Sequence, residues 1–209
     1  MNDSSDSSRV RLILASASPR RTGLLNLVGI PHEVCPSNVD EDNGVPAEPG
    51  AHVTALAERK AAAVAAMHPE ALVLGADTIV YHGGLILGKP KDFEEACRMA
   101  ASLAGTEHLV FTGIALAGPR GARPSSACEV TRVRFRSLSR SQIENYVRTE
   151  EPMDKAGAYG IQGYGATLVE SVEGCYFNVM GLPLTRLIRL LEERGVEYPF
   201  GPLVWSGQV

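Results

Sequence analysis

Cysteine is scarce in this sequence. Its four residues, Cys35, Cys97, Cys128 and Cys175, are scattered, with no Cys-x-x-Cys pair and no histidine at zinc-ligand spacing. That argues against a disulfide framework and against a thiolate metal centre, and predicts free thiols in a reducing compartment. Basic charge has no surplus either: 20 Lys and Arg stand against 24 Asp and Glu, a formal net charge of −4. A nucleic-acid surface usually shows the opposite balance, so nucleic acid is not an expected partner. A few clustered cations can still hold a compact anion whatever the global sign. Long apolar runs are missing, and none approaches the ~20 residues of a membrane helix. Met1–Ser8 is rich in Ser and Asp and lacks the apolar stretch of a signal peptide. A disordered extension is therefore expected over residues 1–9, and a cytoplasmic location for the chain. Internal repeats and linker-like segments are absent too.

What is present reads as one α/β unit over residues 10–196, with an aperiodic tail over 197–209. Val10–Ala15 is a β-branched apolar run, and Ser18-Pro19 after it signals the start of a helix that Gly29 stops. A short strand is predicted over His32–Cys35, then an acidic loop containing Asp40-Glu41-Asp42, then an Ala-rich helix from about Ala51 to Met67. Ala71–Val80 reads as a buried strand, and Gly83-Gly84 turns it into Leu85–Leu87. Asp92 and Glu95 form a capping-box pattern for a helix to Leu103. His108–Ala117 and Ala127–Leu138 look like neighbouring strands across a Gly/Pro-rich loop; in the second, Arg132, Arg134 and Arg136 alternate with apolar residues. A solvated sheet face is the simplest reading of that arginine stripe. Ser139 and Gln142 form another capping box. Strands are predicted around Thr167–Val172 and Tyr176–Met180, before an amphipathic last helix carrying Leu184, Leu187, Ile188 and Leu191.

Several short segments carry chemistry. In Ser16-Ala17-Ser18-Pro19-Arg20-Arg21, two hydroxyls and two guanidiniums flank a helix N-terminus, where unpaired N–H groups favour an anion. A phosphate site and a plain serine cap followed by two surface arginines fit this segment equally. Asp77 lies in the apolar strand Leu74-Gly75-Ala76-Asp77-Thr78, a costly place for a carboxylate unless it is paired or bound to a metal. Small Gly75 and Ala76 would leave room for a ligand beside it; a strand-end aspartate capping a turn is the alternative. Glu41 could give oxygen to a hard cation or be one more solvated loop carboxylate. Lys60 by default is a solvated helix lysine, whereas Lys89, between Gly88 and Pro90, sits where a turn can aim it inward. Gln162 lies in the Gly-rich run Asp154–Gly165. Its carboxamide both donates and accepts, which suits the imide edge of uracil or thymine, although an incidental glutamine in a tight connection also fits. No suitably placed Cys–His or Ser–His pair is evident.

In this order, Ser-x-Ser-Pro-Arg-Arg, Gly-Ala-Asp-Thr-Ile-Val, Lys-Pro and Asp-Lys-Ala-Gly-Ala-Tyr-Gly-Ile-Gln-Gly resemble the Maf family over about Arg11 to Glu193. The resemblance implies an elongated mixed sheet flanked by helices, with two lobes and a central cleft. The implied activity is hydrolysis of nucleoside triphosphates between the α- and β-phosphates with a divalent cation: Mg²⁺ or Mn²⁺, with Co²⁺ also suited. A homodimer is implied as well. Carried over by position, Asp77 would be the catalytic base and, with Glu41, a metal ligand. Ser16, Arg20, Arg21, Lys60 and Lys89 would grip the triphosphate, and Arg20, Thr78 and Gln162 match positions linked to base choice. Members preferring 7-methyl-GTP tend to carry Trp where this chain has Arg20, so dTTP and UTP, or a modified pyrimidine nucleotide, are the expected substrates. The family is also associated with septum formation and arrested cell division, which leaves a nucleotide-binding regulator as one alternative and a pyrophosphatase preferring 7-methyl-GTP as another. Cys175 departs from the acidic or small polar residue usual after the glycine at 174.

Overall fold

The β-branched and apolar runs of the sequence pair into one mixed sheet, seen in a computed structural model that describes residues 9–41, 44, 47–119 and 125–207. Residues 1–8 of the expected extension, Asp42 of the acidic loop, the tip of the Gly/Pro-rich loop and the last two residues of the tail lie outside the described residues. In chain order the elements are β1 (Leu12–Leu14), α1 (Pro19–Leu27), β2 (Glu33–Val34), α2 (Pro49–Ala65), β3 (Leu72–His82), β4 (Leu85–Leu87), α3 (Phe93–Leu103), β5 (Glu107–Ala117), β6 (Ser125–Phe135) and α4 (Arg140–Val147). Three 3-10 turns between Glu151 and Thr167 lead to β7 (Val169–Glu173), α5 (Tyr176–Val179), α6 (Leu184–Glu192), β8 (Val196–Glu197) and β9 (Val204–Trp205).

The sheet runs β2-β1-β3-β5-β6-β7, with β4 also on β3. β1 is parallel to both of its neighbours; the strands from β3 onward pair antiparallel. The expected α/β class with a mixed sheet and flanking helices is what the chain adopts. β3 and β5 are each 11 residues long, enough to serve two cores in succession. Leu72, Leu74, Ala76, Ile114 and Leu116 pack with α1 and α6 at one end. Val80 and Val110 pack at the other with Phe135, Tyr146 and Tyr159. Asp77 and Thr78 fall between the two.

α2 lies unusually close to the sheet. A Cβ on Gly75 would stand 2.1 Å from the Ala57 carbonyl oxygen, and one on Gly113 2.3 Å from that of Val53. The room that Gly75 leaves is therefore filled by helix backbone, which corrects the expectation that it makes space for a ligand. Tyr176–Met180 is another difference. Its centre is a helical turn, α5, because the buried Asn178 side chain donates to Val110 O and Thr131 Oγ1, a tertiary demand that a run of five residues cannot reveal. The aperiodic tail also folds back: Val204 pairs with β8 and bridges Arg9, and Val10 N donates to Leu203 O. Two-residue strands are too short to leave a periodic signature.

Candidate active site

Ser18 takes the N-cap position of α1 but its side chain makes no cap bond. The hydroxyl at work is that of Ser16, which accepts from Ser18 N at 3.2 Å and from Arg21 Nη1 at 2.8 Å. The positive end of the helix therefore opens towards the cleft rather than onto its own cap. Arg21 is buried beneath it, donating also through Nε to Gly181 O (2.8 Å) and through Nη2 to Thr78 Oγ1 (3.1 Å). Thr78 passes the chain of bonds on to Thr112, at 2.9 Å, and Thr112 donates to Asn178 O at 3.0 Å. All of these partners are neutral. Burial draws the Arg21 guanidinium below its ordinary pKa, with the charge of Asp77 opposing. Among the described residues no carboxylate forms an ion pair with Arg21, so its positive charge faces the cleft with capacity for an anion.

Asp77 and Glu41 meet on the floor of the cleft through one lysine. Lys60 Nζ, carried by α2, lies 2.6 Å from Asp77 Oδ1 and 2.7 Å from Glu41 Oε1. The Lys60 and Asp77 side chains are only 9% and 11% exposed, whereas Glu41 is 57% exposed and reaches in from its loop. Burial alone would raise the Glu41 carboxyl, but the hydrogen bond from Lys60 and the charges of Lys60, Lys89 and Arg21 hold it below its ordinary range. Lys60 is thus a buried counter-ion and not a solvated helix lysine. Lys89 is exposed at the rim, on the turn after β4. Across the opening, Arg20 Nη1 pairs with Asp154 Oδ2 at 3.0 Å, and Asp154 is also paired with Lys155 at 2.6 Å. Gln162 is exposed on the same wall. Ser16, Arg20, Arg21, Glu41, Lys60, Asp77, Thr78, Lys89 and Gln162 all line this one cavity of about 970 Å³.

The Maf-like protein family matches residues 11–194. The chain belongs to the Maf family. Among its relatives, the dTTP/UTP pyrophosphatase of Symbiobacterium thermophilum is 53% identical over 189 residues, covering 90% of this chain and 95% of the relative. That of Moorella thermoacetica is 52% identical over 188 residues, covering 90% and 96%. A third, from Pelotomaculum thermopropionicum, is 48% identical over 184 residues, covering 88% and 96%.

Carboxylates at the floor of this Maf cleft suit a hard cation but do not enclose one. Among the described residues no group of three or more His, Cys, Asp or Glu gathers. Two carboxylates beside a wall that carries the Arg21 charge fit an ion of the magnesium kind, which takes one or two protein carboxylates and completes its shell with substrate phosphates and water. Arg132, Arg134 and Arg136 do not line this cavity: Glu107, Glu173, Glu170 and the Thr167 carbonyl take up the stripe. No described helix is long and apolar enough to cross a membrane. At Cys175 the backbone, not the thiol, is engaged, exchanging hydrogen bonds with Thr131 Oγ1.

Sequence reading passed over Glu151, Asp154, Lys155 and Thr112. Asp154 and Lys155 stood inside the Gly-rich motif, and a charged pair beside a glycine run was a usable signal. Thr112 sits in an apolar strand run with nothing to mark it. Glu151, before a proline, gave no signal either.

Proposed function

We propose that this chain is a nucleoside triphosphate pyrophosphatase hydrolysing dTTP and UTP, and by extension modified pyrimidine nucleotides, to the monophosphate and pyrophosphate. The observation that carries the reading is the gathering in one cleft of Asp77, held by Lys60, and the buried cation Arg21 at an open helix N-terminus. Relatives of about half-identical sequence named dTTP/UTP pyrophosphatase support the same reaction.

In this mechanism water adds to the α-phosphorus and the bond to the α–β bridging oxygen breaks. Asp77 orients the water and takes its proton; the pyrophosphate leaves with the electron pair of the broken bond. Ser16, Arg21, Lys60 and Lys89 grip the triphosphate, and their fixed charges stabilise the leaving group. Lys60, lying against Asp77, keeps that carboxylate aligned. Glu41 and Asp77 would hold the divalent cation, Mg²⁺ or Mn²⁺, with Co²⁺ also suited to such oxygens. Bound there, it would neutralise phosphate charge that otherwise repels the nucleophile. Arg20, Thr78 and Gln162 act at the nucleoside end, where the Gln162 carboxamide can pair with the imide edge of the pyrimidine. The residues from 10 to 196 form the catalytic unit, working as a cytoplasmic homodimer; the family resemblance supports the dimer and the four free thiols the compartment.

The test is pyrophosphate release from dTTP, UTP, CTP, GTP and 7-methyl-GTP, with Mg²⁺ or Mn²⁺ and with EDTA. Metal-dependent release from dTTP and UTP is expected, falling about a thousandfold in Asp77→Asn, within the range for loss of a general base. Near-normal turnover by that variant would overturn the role of Asp77. Release from 7-methyl-GTP alone would overturn the base assignment. No release from any nucleotide by folded protein would favour a binding regulator.

A further inference from the structure

One acidic side chain in the cleft wall has no duty in the reaction above. Glu151 opens the first 3-10 turn after α4, Glu151–Asp154. Its carboxylate accepts the backbone N–H of Tyr164 at 2.8 Å and of Gly165 at 2.9 Å, and the Tyr146 hydroxyl at 3.1 Å. Burial raises the Tyr146 phenol well above its ordinary pKa, so it stays protonated and donates to Glu151 while accepting Gly160 N at 3.2 Å. One carboxylate thus gathers three N–H groups of the loop 160–165, two directly and one through a tyrosine.

The loop is closed to its limit around that carboxylate. A Cβ on Gly165 would stand 2.1 Å from the Gly160 carbonyl oxygen, and one on Gly163 2.3 Å from a Glu151 carboxylate oxygen. Gly163 also has φ +65°, which a side chain rarely tolerates. Gln162 sits within this hoop, facing the cleft, and among the described residues nothing hydrogen-bonds its carboxamide. Its placement therefore depends on the backbone that carries it. The same anchored turn bears Asp154, which holds Arg20 from the facing helix.

We infer that Glu151 is a positioning residue that sets base selectivity, by holding the loop 160–165 so that the Gln162 carboxamide is presented at one fixed place in the cleft. The selectivity rests on the pyrimidine reading of the site; the restraint on the loop does not. In Glu151→Gln an amide NH₂ replaces one acceptor oxygen and faces a backbone N–H, so the hoop loses part of its clamp without losing volume. Tyr146→Phe removes the hydroxyl's two bonds, to Glu151 and from Gly160 N, and leaves those from Tyr164 and Gly165 in place.

Two measurements test this on the whole chain. Backbone amide exchange should quicken at least tenfold at Gly160, Tyr164 and Gly165 in Glu151→Gln, and at Gly160 in Tyr146→Phe, with core strands unchanged. In steady-state assays the KM for dTTP and UTP should rise at least tenfold in Glu151→Gln, more than kcat falls, and preference for UTP over CTP should drop by a similar factor. Tyr146→Phe should show a smaller change in the same direction, and serves if Glu151→Gln does not fold. Unchanged exchange in the loop, or faster exchange with unaltered preference for UTP over CTP, would overturn the inference. A wild-type enzyme that hydrolyses no pyrimidine triphosphate would instead overturn the substrate reading, and the selectivity role with it, while the exchange result would still report whether Glu151 restrains the loop.

Discussion

Glu150 and Glu151 are adjacent and do opposite things. Glu151 spends its carboxylate on the loop that carries Gln162, while Glu150 occupies the left-handed region, with φ 61° and ψ −4°, as the residue before the first 3-10 turn. For a side chain that conformation costs ~1–2 kcal/mol, and glycine escapes it at some cost in chain entropy. Glu150→Gly should therefore stabilise the protein by about 0.5–1 kcal/mol, raising Tm by ~1–4 °C for a chain of this size. Thermal melts of the variant beside the wild type check it, and a lower Tm would mean that the Glu150 side chain makes a contribution larger than the strain. At this scale much of the site was legible. Asp77 stood out because a carboxylate in an apolar strand demands an explanation, and Arg20 and Arg21 because they follow a helix start. Lys60 did not: its neighbours Glu58 and Arg59 are polar, and only the fold brings it to Asp77, 17 positions away. Glu151 was silent for the same reason, since its partners lie up to 14 positions on.

Helix α2 carries Lys60 and must lie close enough to β3 for the lysine to reach Asp77. Gly75 and Gly113 make that approach possible, being the points where helix backbone touches sheet backbone. Gly113 pairs with Asp77 in the sheet register, so a change there acts on the site through the helix seat. Gly113→Ala would force α2 outward, because the atom it meets is backbone and cannot rotate away. Overpacking of this kind costs ~1–3 kcal/mol, and lengthening of the 2.6 Å contact between Lys60 and Asp77 should lower kcat beyond what the stability loss explains. Urea titration and pyrophosphate release on the same preparation separate the two effects; destabilisation with unchanged turnover would show that the lysine follows the carboxylate. The long strands and helices were readable because period and capping agree, as at Ser139 and Gln142, whose reciprocal capping bonds are both present. Asp92 caps α3 through Glu95 N as its pattern implies, yet Glu95 answers to Lys91 N and not to Asp92 N. The helical turn at Tyr176–Val179 was unreadable because Asn178 serves strands β5 and β6, and that demand lies outside the segment.

Strands β3 and β5 run through both of the cores packed towards their two ends, so these cores share backbone and should unfold together. His108 sits in one core, and the single tryptophan, Trp205, packs against the other. Buried between Phe135 and Tyr159 and bonded through Nε2 to the Tyr159 hydroxyl, His108 leaves Nδ1 with no partner among the described residues. Burial, with a smaller contribution from the charge of His82, lowers its pKa from 6.5 to about 4. The folded pKa lies below the unfolded one, so the unfolded chain takes up a proton first as the pH falls through 6.5. Stability is thus complete above that pH and declines on the way to about pH 4, by up to about 3 kcal/mol. Glu41 and Asp154, both held below the ordinary carboxylate range by their cations, add a second decline that begins only below about pH 4.5. His108→Gln can keep a hydrogen bond to Tyr159 and cannot take up the proton, so it should abolish the decline between pH 6.5 and 4.5 and retain the one below. Urea midpoints followed by Trp205 fluorescence across this range, with circular dichroism beside them, read both claims. Fluorescence that reports the His108 slope means the proton taken up in one core is felt in the other, the signature of one cooperative unit. A wild-type slope surviving in His108→Gln would move the acid sensitivity to another group, and non-coincident transitions would mean that β3 and β5 fail to couple the two cores.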